Sequence, residues 1–322
     1  MAKPYRIWGG TQDNGALGGE ARPMNPGMEH WRWWDWGDQY ITRVDPNDEN
    51  VVYFEGMFGG LRRVNLKTGK GGGGRPGGRC NWITPYILSP HNSKTLYMGS
   101  HRVGKSLDRG DTWKFISPDL TTNPGPEKRG NVPYGTITDI SESPLKKGLL
   151  YVGTDDAQVH VSKNDGGSWT KITKGLPDRW VSRVVASKYD VATVFVSHIG
   201  YRQDDFEKYL FMSTDYGQTW KSIGANMPSE GINVIREDPF DKDILYVGTE
   251  LGIYCSIDRG KSWHSLCNHL PTTPVHDIAV HPRDGDLVIG THGRSAFVLD
   301  AKKIREIKKQ GGKPKASKDT KK

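Results

Sequence analysis

One eight-residue phrase is written four times in this chain of 322 residues, and it limits the fold more than any other feature. Its copies are Ser106-Leu-Asp108-Arg-Gly110-Asp-Thr112-Trp113, Ser162-Lys-Asn164-Asp-Gly166-Gly-Ser168-Trp169, Ser213-Thr-Asp215-Tyr-Gly217-Gln-Thr219-Trp220 and Ser256-Ile-Asp258-Arg-Gly260-Lys-Ser262-Trp263. The tryptophans are 56, 51 and 43 residues apart, a period that signals an array of similar structural units. Asp binds nearby backbone amides and Gly takes positive φ, so each phrase reads as a tight turn pinned by its own side chains. Ser or Thr and Trp are expected to fold back over that turn. The phrase therefore locates architecture, not chemistry.

Between the phrases runs a pattern of short strands. A first strand ends near Pro or Lys, as in Ile41-Thr-Arg-Val-Asp-Pro46, Asp139-Ile-Ser-Glu-Ser-Pro144 and Val234-Ile-Arg-Glu-Asp-Pro239. A second follows, as in Val51-Val-Tyr-Phe54, Thr95-Leu-Tyr-Met98, Leu149-Leu-Tyr-Val152 and Ile244-Leu-Tyr-Val247. A third leads into the phrase and a fourth leaves it at Trp. Apolar positions alternating at period two between turn signals define antiparallel strands. Six such units and a half-unit at residues 5–20 predict an all-β propeller of six to seven four-stranded blades. Its two ends are incomplete: the half-unit lacks a first strand, and Ala296-Phe-Val-Leu299 is followed by no phrase. Either the ends join to close the ring, or the chain belongs to a longer plan. The propeller is expected over residues 1–300.

The four phrases resemble the Asp box of BNR-repeat β-propellers: sialidases, sortilin-type receptor domains and xyloglucan-cleaving endoglucanases. Gly9-Gly-Thr-Gln-Asp-Asn-Gly15, Ile235-Arg-Glu-Asp-Pro239 and Gly290-Thr-His-Gly-Arg-Ser295 are similar to large bacterial BNR-repeat proteins with a sortilin-like propeller, over residues 5 to about 300. That resemblance implies a further propeller ahead of this one, and such longer proteins are often exported.

Composition removes several function classes. Residues 301–322 carry ten Lys and Arg against Glu306 and Asp319, which accounts for the whole net charge of +8. The body is thus net neutral, and the Lys-rich end, expected to be mostly disordered, supplies loose polyanion attraction without a specific nucleic-acid module. No apolar run is long enough to span a membrane, and Met-Ala-Lys-Pro-Tyr-Arg, with no apolar core behind it, is not expected to be a signal peptide. Cys80, Cys255 and Cys267 make no disulfide framework, although Cys255 and Cys267 could lie on neighbouring strands. His264 with His269, and His276 with His281, lack partners suited to a metal, and no cofactor is expected. The glycine-rich stretch 69–78 lacks a phosphate-loop ending and reads as an inter-blade linker.

The turns between second and third strands are expected on one face, opposite the Asp boxes. Ligand-binding candidates there are Asp13, His101, Arg102, Tyr201, Arg202, His292 and Arg294, joined by Trp33 and Trp34 of the ring-rich segment His30–Trp36. Two functions compete. A non-catalytic recognition propeller, as sortilin-type domains are, would hold a glycan or a peptide on this face, with another propeller or subunit as a further partner. A glycoside hydrolase of the xyloglucanase type would act on β-glucans through two carboxyl groups about 5–10 Å apart. Its candidate carboxylates are Asp155, Asp156, Asp204, Asp205 and Glu250. Tyr5-Arg-Ile-Trp8 resembles the arginine motif of sialidases but lacks its Pro.

Overall fold

The computed structural model describes residues 4–21, 31–128, 132–268 and 270–311. The fold is an all-β propeller of seven antiparallel sheets. Blade 1 holds β1 (Arg6–Thr11), β2 (Gly15–Glu20) and β3 (Trp31–Asp35), and blade 2 holds β4 (Gln39–Asp45), β5 (Asp48–Gly56), β6 (Gly60–Asn65) and β7 (Gly71–Gly72). Blade 3 is β8 (Tyr86–Ser89), β9 (Asn92–Gly99), β10 (Val103–Ser106) and β11 (Lys114–Phe115). Blade 4 is β12 (Ile137–Glu142), β13 (Leu150–Thr154), β14 (Val159–Ser162) and β15 (Thr170–Lys171). Blade 5 is β16 (Trp180–Ala186), β17 (Val194–Gly200), β18 (Asp205–Ser213) and β19 (Lys221–Ser222). Blade 6 is β20 (Ile232–Glu237), β21 (Leu245–Thr249), β22 (Ile253–Ser256) and β23 (His264–Ser265), and blade 7 is β24 (Val275–Val280), β25 (Asp286–Thr291) and β26 (Ala296–Asp300). One short helix follows, α1 (Lys302–Lys309).

The incomplete ends do not share a sheet; each forms its own three-stranded blade. The glycine-rich stretch is more than a linker, since Gly71 and Gly72 pair with Val64 and Arg63 as the outer strand of blade 2. The helix lies in the segment assigned above to a basic tail. Ile304 buries against the last core cluster, and Arg305 and Lys308 meet carboxylates, which gives a Lys-rich stretch reason to fold. Residues 312–322 lie outside the described residues.

Two compact units emerge. One comprises Met1–Val196 with Ser213–Trp220, the other Ser197–Met212 with Lys221–Lys322. In the first, glycines at the end of the second strand let the next blade approach closely. A Cβ at Gly99 would strike Ile137 and one at Gly153 would strike Val181. The second unit repeats the device at Gly248 against Val275.

The Asp boxes occupy the turns between third and fourth strands. In the third copy the Ser213 hydroxyl donates to Asp215 Oδ1 (2.6 Å) and accepts from the Gly217 amide (2.8 Å), while Thr219 donates its amide and hydroxyl to Asp215 (2.9 and 2.6 Å). These donors, Ser213 and Thr219 first, hold the Asp215 carboxyl down at about 2. Gly217 has φ 87°, and its bare Cα lies over Ile172 of the preceding blade. Trp behaves differently from expectation in three copies. Trp169, Trp220 and Trp263 donate their indole N–H to the carbonyls of Ile116, Ile172 and Ile223 of the preceding blade (3.0, 2.9 and 2.7 Å). Trp113 alone folds onto its own turn, donating to Gly110 (2.9 Å). The outer strand before it is Gly71–Gly72, which offers no isoleucine in that place.

Candidate functional site

In blades 3 to 6, antiparallel order sends the turn between second and third strands to the end opposite the Asp box. The linkers between blades emerge at that same loop end. In the first unit these turns and linkers interlock. The Phe58 amide donates to the Trp82 carbonyl (3.1 Å), their rings meet edge to face (centroids 5.2 Å), and Arg75 donates to the Phe58 carbonyl (3.1 Å). The Trp82 indole N–H donates to Tyr40 Oη, whose hydroxyl donates to Asp38 Oδ2 (3.0 Å). The other Asp38 oxygen accepts the Asp13 amide (2.7 Å). Burial, with Asp38 adding to it, pushes the Tyr40 phenol up to about 12, so it stays a donor. Around this chain Trp36 is 77% exposed, and Met57 and Ile83 are also exposed.

The candidates fall into different environments. Asp13 sits at φ 60° on its turn, exposed and fixed by Asp38. Trp33 is 55% exposed with its ring 5.9 Å from Trp36, whereas Trp34 packs against Trp8 (6.0 Å) beside the cluster of Ala16, Val52 and Phe54. His30 lies outside the described residues. The His101 ring accepts the Arg79 amide (3.1 Å), and Arg102 lies over Phe115 (4.3 Å) and donates to the Ser117 carbonyl (2.8 Å).

Asp155 and Asp156 are buried. Asp155 accepts from the Gly135 and Thr136 amides (2.9 and 2.8 Å), the Thr136 hydroxyl (2.6 Å) and Asn81 Nδ2 (3.2 Å). Asp156 accepts the Thr122 amide and hydroxyl (2.6 and 2.7 Å) and the Thr154 hydroxyl (2.5 Å). Burial raises Asp155 to about 6 against the pull of the Thr136 donors. Both carboxylates tie the turn of blade 4 to the linkers ahead of it.

In the second unit Tyr201 and Arg202 form one turn, the guanidinium 5.6 Å from the ring centre, and Asp204 closes it at φ 55°. Asp205 is held by the Glu207 amide (3.0 Å) and the Tyr209 hydroxyl (2.8 Å). Glu250 and Tyr201 flank Gly231, and the Glu250 amide donates to the Gly231 carbonyl (3.1 Å). His292 and Arg294 are exposed, and the His292 ring lies 5.1 Å from that of His276. His269 lies outside the described residues, and no group of three metal-ligating side chains occurs among those described. Cys255 and Cys267 are free thiols, since Cys255 pairs across the sheet with His264 instead.

Two carboxylates escaped the sequence reading. Glu230 is buried and accepts the Leu251 amide and the Tyr254 hydroxyl (both 3.0 Å). Glu55 is fully buried and accepts the Thr84 amide (2.9 Å), and burial raises it to about 8. A repeat alignment would have exposed Glu55, because it stands where blades 3, 4 and 6 have Gly99, Gly153 and Gly248.

Comparison with known proteins agrees with this fold. A model of the family described as sortilin, neurotensin receptor 3 matches residues 208–312. A search of curated proteins found no match. The structure is similar to a GH74 xyloglucanase from Xanthomonas campestris (TM-score 0.66, 19% identity, 91% of this chain and 50% of the enzyme). It is also similar to an ancestral GH74 enzyme (0.60, 18%, 88% and 36%) and to YCF48 bound to a D1 peptide (0.62, 10%, 92% and 88%). The chain thus spans half or less of the two GH74 enzymes. The chain is thus similar to the sortilin family over residues 208–312 and shares a β-propeller fold with these solved structures.

Proposed function

We propose that this propeller is a non-catalytic recognition module that holds a glycan or a peptide on its loop end, centred in the first unit on Trp33, Trp36, Phe58 and Trp82. The observation that carries the reading is how this surface divides its side chains. Aromatic faces stand open, with Trp36 77% exposed, while Asp155 and Asp156 lie buried among donors. Aromatic faces suit both sugar rings and peptide side chains, and a cluster of exposed apolar groups on a folded surface marks interaction. Asp13, Asp38 and Arg75 supply polar groups at its margin.

The hydrolase alternative draws on one property, the raised Asp155 carboxyl, which a general acid shares. Its burial beneath four donors, which commits its oxygens to hydrogen bonds within the fold, favours recognition over hydrolysis. The test is a panel of immobilised β-glucan oligosaccharides and extended peptides probed with the whole chain. Trp36→Ala and Trp82→Ala should each weaken the strongest signal at least tenfold without shifting the melting temperature of the bulk fold by more than a few degrees. A signal indifferent to both changes would remove this surface as the site.

A further inference from the structure

We propose that the outer edge of β26 is a strand-addition site for an extended, acid-flanked segment of a partner protein. In blades 2 to 6 the third strand is covered by a fourth, and every such fourth strand is two residues long. Blade 7 has no fourth strand among the described residues, so Ala296–Asp300 pairs with β25 on one side only. The chain passes instead into α1, held away at Asp238, Asp241 and Asp243. All five residues of β26 are half-exposed, whereas the corresponding β22 is mostly buried.

Edges of sheets are normally blunted by shortness, proline, lysine or a bulge, because their free amides and carbonyls template pairing. The two-residue outer strands of blades 2 to 6 are blunted by shortness, and the β2–β3 pairing of blade 1 contains a register shift. β26 has none of these devices: it is Ala-Phe-Val-Leu-Asp, in unbroken register with β25 from Asp286↔Asp300 to Gly290↔Ala296. Phe297 and Leu299 pack toward the core cluster, which leaves the backbone edge and Val298 to a partner.

Charge selects the occupant. Exposed Arg294 stands before the strand, and exposed Lys302 and Lys303 stand after it. A second copy paired antiparallel about Val298 would bring the Arg294 end of one strand to the Lys302 and Lys303 end of the other, a gathering of like charge that opposes self-association. A foreign strand with alternating β-branched residues and carboxylates at both ends meets these cations and gains backbone pairing, the usual mode of strand addition.

The probe is a fluorescein-labelled peptide of alternating valine and threonine with two aspartates at each end, titrated into the whole chain and read by anisotropy. Saturable binding is expected, with new amide exchange protection confined to 296–300. Lys302→Glu with Lys303→Glu should weaken it at least fivefold. The same peptide with alternate amides N-methylated should not bind, an arm that needs no variant to fold. Equal binding of the N-methylated peptide, protection appearing elsewhere, or a concentration-dependent dimer that buries 296–300 would each overturn the proposal.

Discussion

Glu55 shows what one residue decides in a repeated scaffold. Where sister blades place glycine against the next blade, this one places a carboxyl with no solvent exposure. Tyr40, Cys80 and Tyr86 are the titratable groups that feel its charge. Its folded pKa, about 8, lies above the ordinary 4.5, so the unfolded chain releases this proton first. The stability it contributes is full below pH 4.5 and is lost as pH rises toward 8, at up to about 1.4 kcal/mol per pH unit. Denaturant midpoints of Glu55→Gln should therefore fall less steeply between pH 5 and 8 than those of the parent; identical slopes would place the proton elsewhere. The fate of Asp155 was illegible in the sequence for a related reason. Its acceptors are filled by Asn81, 74 residues away, as well as by Thr136, and no local pattern announces a donor that distant.

Elements were far more legible than their contacts. Each Asp box closes within eight residues, so Ser213, Asp215, Gly217 and Thr219 reveal their turn wherever the rest of the chain goes. The reach of Trp263 to Ile223, 40 residues back, depends on the neighbouring blade and could not be read from the motif. Trp263 is 3% exposed, so Trp263→Phe leaves a carbonyl without its donor and should cost about 1–3 kcal/mol. Trp113→Phe, which breaks a bond only within its own turn, should cost less; chemical denaturation of the two variants compares them directly. α1 was illegible because composition argued for disorder. Its anchor is Arg305, bonded through Nε and Nη2 to Asp238, a carboxylate with no solvent exposure that also accepts the Tyr246 hydroxyl. Removing one member of such a pair strands the other, so Arg305→Ala should destabilise the second unit by about 3 kcal/mol, seen as faster amide exchange in β20 and β24.

At the scale of the whole molecule the repeat made the propeller readable, because seven sheets were written with the same alternation and turn chemistry. The working surface was less so. A turn rich in Asp, His and Arg looks equally suited to chemistry and to structure until burial is known. Here Asp155 and Asp156 are buried among hydrogen-bond donors, while Trp36 and Trp33 are exposed. The proposed function is recognition without turnover. Its most direct test incubates whichever panel ligand binds best with the whole chain and measures, in one sample, the ligand retained and any ends newly released. A recognition module should give saturable retention that Trp36→Ala and Trp82→Ala weaken, with the ligand recovered intact at every time point. Steady release of new reducing ends or peptide termini, abolished by Asp155→Asn in a chain that still folds, would contradict it.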